Sequence, residues 1–123
     1  MTYLTLADPG LRATKDGYEY VLSHAPDDVE CATLVEVLIE FHRPGLPGIG
    51  YRSGDAIAVA GLTAETRPAL EASLADCLIG FNRRRAQARG EGYGPVQVQG
   101  AEEARMVASV RESFERLPDE LPS

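Results

Sequence analysis

Apolar residues recur at helical spacing within residues 63–89, which hold the longest predicted helix of the chain. Residues three or four positions apart lie on one face of a helix. The stripe consists of Leu70, Leu74, Cys77, Leu78 and Phe81. Pro68 suits a first helical turn, where a missing N–H costs little. The pattern therefore predicts a helix over about 66–89 that packs one face against a core.

Two shorter helices are predicted at about 27–42 and 101–116. Asp27 followed by Glu30 is a capping-box pattern for the start of the first. Its apolar stripe contains Cys31, Leu34, Val35, Leu38 and Phe41. Further apolar residues lie beside that stripe, so this helix is expected either to be well buried or to meet a partner. Gly100 is expected to cap the last helix.

The remaining segments contain short runs with strand character. The predicted strands are 2–6, 11–14, 18–22, 56–62 and 95–99, and 49–52 is either a further short strand or part of a functional loop. Turn residues at 8–10 and 15–17 join the first three into an antiparallel β-meander. We therefore expect an α+β fold, with a mixed sheet of about four to six strands and three helices packed mainly on one face. An α/β arrangement is the alternative, in which 56–62 and 95–99 run parallel.

Length and charge narrow the classes of function. The 123 residues predict one domain over 1–117 with a short C-terminal tail at 118–123. The net charge of −7 argues against nucleic-acid binding, which needs a positive surface. The sequence has neither a secretory leader pattern nor an apolar run of about 18 residues, so a cytoplasmic location without a membrane span is expected.

Candidate catalytic and metal-binding groups do not form a coherent set. Cys31 and Cys77 are expected to be buried and reduced, with a single disulfide between them as the alternative. His24, Asp27 and Cys31 are close in sequence, but the cysteine falls on the apolar stripe and Asp27 serves the helix start. We therefore expect no metal site and no cofactor, and we lean against an enzyme.

Two glycine-rich loops, 44–54 and 90–94, are the candidate ligand-binding segments, because such loops often carry function. Tyr51, Arg52, Arg89 and Tyr93 would contact a small anionic ligand there. Arg83, Arg84, Arg85 and Arg89 form a separate basic patch at the end of the long helix. Arginine forks suit phosphate or an acidic partner, whereas a helix end also favours positive charge for its own stability.

The leading hypothesis is a small acidic protein-binding module, acting as an adaptor, an accessory subunit or an inhibitor of a basic partner. Self-association as a homodimer through the first helix is a further expectation. The alternative is a ligand-binding domain or small enzyme that uses the two glycine-rich loops. A nucleic-acid-binding regulator using 83–89 ranks last because of the acidic net charge.

Overall fold

The computed structural model describes residues 3–51, 54–88 and 96–122, with the backbone alone for 96–99. These residues form a four-stranded sheet and three helices, which confirms the predicted α+β class and strand number. The elements in chain order are β1 (Leu6–Thr14), β2 (Gly17–Leu22), α1 (Asp28–Phe41), β3 (Ile49–Gly50), β4 (Ala56–Val59), α2 (Arg67–Ala88) and α3 (Val96–Glu115).

The sheet has the strand order β1-β2-β4-β3, and all three pairings are antiparallel. The described sheet is therefore not mixed. The α/β alternative is wrong, because it required a strand at 95–99 parallel to 56–62 and residues 96–99 are helical. An antiparallel sheet of this kind can leave one face to solvent and cover the other.

The first hairpin turns where Asp16-Gly17 predicts it. Gly17 has a φ of 151°, and a Cβ there would lie 2.8 Å from the carbonyl oxygen of Val59, so the position requires glycine. The other predicted turn, at 8–10, lies inside β1. The pairing of β1 with β2 shifts register between Leu6 and Leu11, so the extra residues form an irregularity within one strand.

Alternate residues of the strands divide the sheet into a buried face and an exposed face. On the buried face Tyr20 lies opposite Leu11 on one side and Ile57 on the other. These three residues are at most 3% exposed. On the other face Arg12 and Glu19 lie opposite each other and form an ion pair. The core therefore lies on one side of the sheet only.

All three helices cover the buried face. α2 lies in the middle: Glu71 accepts a hydrogen bond from the Tyr20 hydroxyl at 2.7 Å, and its predicted stripe is at most 2% exposed. α3 lies towards β1, with the Phe114 ring 6.5 Å from that of Tyr20. α1 lies towards β3, where the Cys31 thiol is 3.1 Å from the Tyr51 hydroxyl. The order α3-α2-α1 thus follows the strand order.

α3 begins earlier than the sequence pattern indicates. Residues 96–99 were expected in a strand but belong to α3, and Gly100 lies inside the helix instead of capping it. Gln is a good helix former, and one interior glycine costs only about 1 kcal/mol. The long apolar stripe that follows is enough to extend the helix through these residues, since propagation is easier than nucleation. Position 95 lies outside the described residues.

α1 starts at the predicted capping box. The Glu30 N–H donates to Asp27 Oδ1 at 2.8 Å, and the Asp27 N–H donates to Glu30 Oε1 at 3.2 Å. The burial of α1 differs from the prediction. Val37, expected beside the main stripe, is 0% exposed, and α1 packs against α2. Phe41, expected within the stripe, is 39% exposed.

Two helix side chains form hydrogen bonds with the main chain of Leu4 and Leu6, where β1 begins. Asn82 of α2 is buried; its Oδ1 accepts the Leu4 N–H at 2.8 Å and its Nδ2 donates to the Leu4 carbonyl at 3.0 Å. Ser113 Oγ of α3 accepts the Leu6 N–H at 3.1 Å. These contacts cover the main chain at the β1 edge of the sheet.

Candidate functional site

The outer face of α1, defined by Val29, Ala32, Glu36 and Ile39, carries two of the three large apolar side chains that are exposed among the described residues. The spacing of three, four and three residues places these side chains in one row. Ile39 is 78% exposed and Val29 65%, and the two residues between them are also exposed. Burying apolar surface of this kind against a partner would contribute a free energy of about 25 cal/mol per Å². Val29 and Ile39 lie about 15 Å apart along the helix, and exposed apolar side chains on one helix face are available for contact with a partner.

Beside the outer face, a groove runs between α1 and the edge strand β3. This α1–β3 groove has a volume of about 430 Å³, within the range of natural ligand sites. Its lining is mostly aliphatic and comprises Val35, Leu38, Ile39, His42, Gly48, Ile49, Gly50 and Tyr51. Ile39 belongs to both the groove and the outer face, so the two form one continuous surface.

Three contacts hold the walls of the α1–β3 groove. The Tyr51 hydroxyl donates to the Gly54 carbonyl at 3.0 Å and lies 3.1 Å from the Cys31 sulfur. At the other end, His42 Nε2 lies 3.0 Å from the Pro47 carbonyl oxygen, which ties the loop after α1 to the helix end. The Cys31 and His42 contacts connect α1 and its C-terminal end to the residues that flank β3 on either side.

Tyr51 is a neutral wall of the groove and not a base or nucleophile. Burial raises the pKa of its hydroxyl above the ordinary value, and the hydrogen bond with the Cys31 thiol raises it further. Both effects keep the proton on the hydroxyl at physiological pH. The group can therefore offer a hydrogen bond and an aromatic surface to a bound molecule.

Of the four residues predicted to hold an anionic ligand, only Tyr51 is described. Arg52, Arg89 and Tyr93 lie outside the described residues, as does the whole of the 90–94 turn. The proposed meeting of loops 44–54 and 90–94 therefore stays a prediction.

The arginines of the predicted basic patch contact carboxylates of neighbouring helices. Arg83 pairs with Glu103 of α3 and Arg84 with Glu40 of α1. The pairs of Arg83 and Arg84 tie α2 to its two helical neighbours across the fold. Arg85 Nε lies 3.7 Å from a carboxylate oxygen of Glu30. Arg89 lies outside the described residues.

A buried polar cluster that sequence reasoning missed lies between the sheet and α2. Arg67 Nε donates to Glu71 Oε2 at 2.6 Å, the same oxygen that accepts the Tyr20 hydroxyl. Arg67 Nη1 donates to the Asp119 carbonyl at 3.3 Å. Burial and the adjacent Glu71 both raise the pKa of Tyr20. The sequence does show that Arg67 and Glu71 are four residues apart and can pair on one helix. It does not show that Tyr20 of β2 lies next to them, because that depends on how α2 packs on the sheet.

A cavity of about 480 Å³ adjoins this cluster and is bounded by the C-terminal segment. The positive charge of Arg67 is already matched by Glu71. Glu115 and Glu120 also line the cavity, so it offers no uncompensated positive charge to an anion. The cluster instead fastens residues 117–121 to α2, and Leu121 packs against the core.

The remaining candidates for chemistry in the sequence were Asp27, the two cysteines and a metal-binding cluster. Asp27 caps α1. The hydrogen bond from the backbone N–H of Glu30 is the main cause that lowers the pKa of the Asp27 carboxyl. Both cysteines are free, and Cys77 is 0% exposed. Within residues 3–51, 54–88 and 96–122, no group of three or more His, Cys, Asp or Glu side chains is placed to hold a metal ion.

Among the described helices, none combines the length and apolar character needed to cross a bilayer. Comparison of the chain with models of known protein families, with curated proteins and with solved structures finds no match.

Proposed function

We propose that this chain is a small acidic, cytoplasmic protein-binding module that acts by contact and not by catalysis. It binds a basic partner through the outer face of α1 together with the α1–β3 groove. The observation that carries the proposal is the exposure of Ile39 (78%) and Val29 (65%) in one row beside an apolar groove. Binding energy in protein interfaces comes mainly from a few side chains that become fully desolvated, and Ile39 beside the groove can be such a residue.

Charge supports a basic partner over a second copy of the chain. α1 carries Asp28, Glu30, Glu36 and Glu40 and contains no lysine or arginine. Asp28 is exposed beside the row, and Glu36 is exposed within it, with a carboxylate oxygen 4.0 Å from Arg84 Nη1 of α2. Two copies meeting through α1 would place acid against acid, which costs binding energy, whereas lysine or arginine on a partner would be attracted. The net charge of −7 adds a long-range attraction for the same class of partner.

The test compares two matched alanine-to-arginine variants in affinity capture from host lysate. Ala32→Arg places a bulky positive group in the middle of the outer face of α1, and Ala108→Arg places the same group on an exposed position of α3. Alanine and arginine are both good helix formers, so both variants are expected to fold. The captured protein is then identified and its affinity for each purified variant is measured.

We expect Ala32→Arg to weaken the complex at least about tenfold, which is about 1.4 kcal/mol, and Ala108→Arg to leave it nearly unchanged. Binding should also weaken with added salt, because part of the attraction is between exposed charges. Equal retention of the partner by the two variants would refute this interface. A homodimer in native mass spectrometry that Ala32→Arg disrupts would refute the basic partner in favour of self-association.

A further inference from the structure

The two edges of the sheet are covered to different extents. At the β1 edge, α3 packs against the strand, and Ser113 Oγ takes up the outward N–H of Leu6. At the β3 edge, Gly48 and Gly50 are exposed, and within residues 3–51, 54–88 and 96–122 no strand pairs with the outer side of β3. Unpaired main-chain groups at an open edge are a template for another strand. The β3 edge is therefore the side of the sheet at which a further chain can add.

The register shows which main-chain groups point outward from β3. The Ala60 N–H donates to the Gly48 carbonyl at 3.0 Å, and Ile49 lies opposite Val59. In an antiparallel pair, residues alternate between bonding to the partner strand and facing away from it. Gly48 and Gly50 therefore bond to β4, whereas the N–H and C=O of Ile49 face the open edge.

An extended chain added beside Ile49 would run along the α1–β3 groove. Successive side chains of a strand point to opposite faces, so every second side chain of the added segment would enter the aliphatic groove. Main-chain hydrogen bonds then supply affinity, and the groove supplies the preference for particular side chains, as in other cases of strand addition. A volume of about 430 Å³ accommodates aliphatic side chains of this kind.

We propose that the partner binds as an extended segment that adds as a strand to β3, with an aliphatic side chain in the α1–β3 groove and lysine or arginine beside it. This inference rests on the proposed function, because it specifies how the partner uses the same surface. Asp28, exposed on α1 and seven residues before the groove residue Val35, lies on the same helix face as Val35 and provides the charge complementarity. A second copy of the chain would bring the same acids and is disfavoured for that reason.

The experiment selects binders from a phage-displayed library of random linear peptides on the immobilised full chain. Selected peptides are synthesised, and their dissociation constants are measured by fluorescence anisotropy for wild type, Ile49→Ala and Ile49→Pro. Both substitutions remove most of the side chain, but only proline removes the outward N–H. Proline is tolerated on an edge strand whose N–H faces solvent, and circular dichroism confirms that both variants fold.

We expect enriched peptides in which an aliphatic residue alternates with lysine or arginine. Ile49→Pro should bind them at least about tenfold more weakly than Ile49→Ala, since one main-chain hydrogen bond and the alignment it provides are lost. A second measurement needs no protein variant: N-methylation of single peptide amides should abolish binding at alternate positions only, as a strand requires.

Three results would overturn strand addition: equal affinity of the two Ile49 variants, enrichment of peptides with helical spacing of apolar residues, or no enrichment at all. The first two leave the proposed function intact if Ala32→Arg still weakens binding, because the outer face of α1 is then used by another type of segment. The proposed function fails separately, when Ala32→Arg and Ala108→Arg bind the captured partner equally well.

Discussion

The contact between Gly80 of α2 and Phe41 of α1 provides a quantitative test of how α1 is placed. A Cβ added at Gly80 would lie 2.8 Å from Cε2 of the Phe41 ring, 3.3 Å from Cδ2 and 3.4 Å from Cζ. The first distance is too short for carbon atoms in contact, which prefer about 3.5–4.0 Å. Gly80→Ala therefore forces the Phe41 ring, or α1 itself, to move.

Two opposing terms determine the size of the effect. Replacing an interior helical glycine by alanine stabilises a helix by about 1 kcal/mol, whereas overpacking costs about 1–3 kcal/mol. Phe41 is 39% exposed and can turn outward, but it then loses its packing and the Arg84 guanidinium, 5.7 Å from the ring centroid. That cation–π contact is worth about 0.5–1 kcal/mol. We expect Gly80→Ala to lower the free energy of unfolding by about 1 kcal/mol, near the middle of this balance.

The prediction is tested with a double-mutant cycle. In a Phe41→Ala background the clash is absent, so Gly80→Ala should stabilise the protein by about 1 kcal/mol, giving a coupling energy of about 2 kcal/mol. Free energies of unfolding come from urea titrations followed by far-ultraviolet circular dichroism, because the chain has no tryptophan. Gly100→Ala is the matched control: apart from its neighbours along α3, no described atom lies within 4 Å of its added Cβ, so it should stabilise both backgrounds equally. If Gly80→Ala stabilises both backgrounds equally, the reasoning about this contact is wrong.

Three further predictions concern buried groups. Asn82→Ala leaves the N–H and C=O of Leu4 unpaired in the core, so urea titration should show a loss of about 2–4 kcal/mol; a loss below about 1 kcal/mol would contradict the role given to Asn82. The pKa of Tyr20 is raised in the folded state, so its contribution to stability is complete below the unfolded pKa of about 10 and declines as pH rises above it. Urea midpoints measured across this range should therefore fall less steeply for Tyr20→Phe than for wild type, and parallel curves would rule out this contribution. Burial raises the pKa of Cys77 to about 12, so iodoacetamide near neutral pH should modify this thiol in urea but not in the folded protein. Peptide mapping by mass spectrometry distinguishes modification of Cys77 from modification of Cys31. Modification of Cys77 without urea would show that solvent reaches this thiol in the folded protein.

The sequence alone determined the features that depend on local pattern. The stripe of α2 is buried as predicted, because five apolar residues at helical spacing leave a helix no other way to cover them. The cap of α1 formed at Asp27 and Glu30 because both partners lie within one turn. The hairpin at Asp16-Gly17 was predictable because its turn needs a positive φ, which glycine adopts readily. Each of these features involves residues close in the chain.

Tertiary packing determined the features for which the local pattern is ambiguous. The alternation at 95–99 fits a strand, but a strand needs a partner, whereas 96–99 could extend a helix that was already stabilised by its own core contacts. Likewise Val37 and Ile39 both lie beside the predicted stripe of α1. Because of where α2 packs, Val37 is 0% exposed whereas Ile39 is 78% exposed.

The candidate site shows the same division. The sequence identified the first helix as a possible partner surface and Tyr51 as a loop aromatic. It did not identify the α1–β3 groove, because that groove is formed by side chains from α1 and β3, which only the fold brings together. It also left open the role of Arg83 and Arg84, whose carboxylate partners lie 20 and 44 positions away. Contacts between residues that distant in the chain depend on how the helices stack on the sheet, which no local pattern encodes.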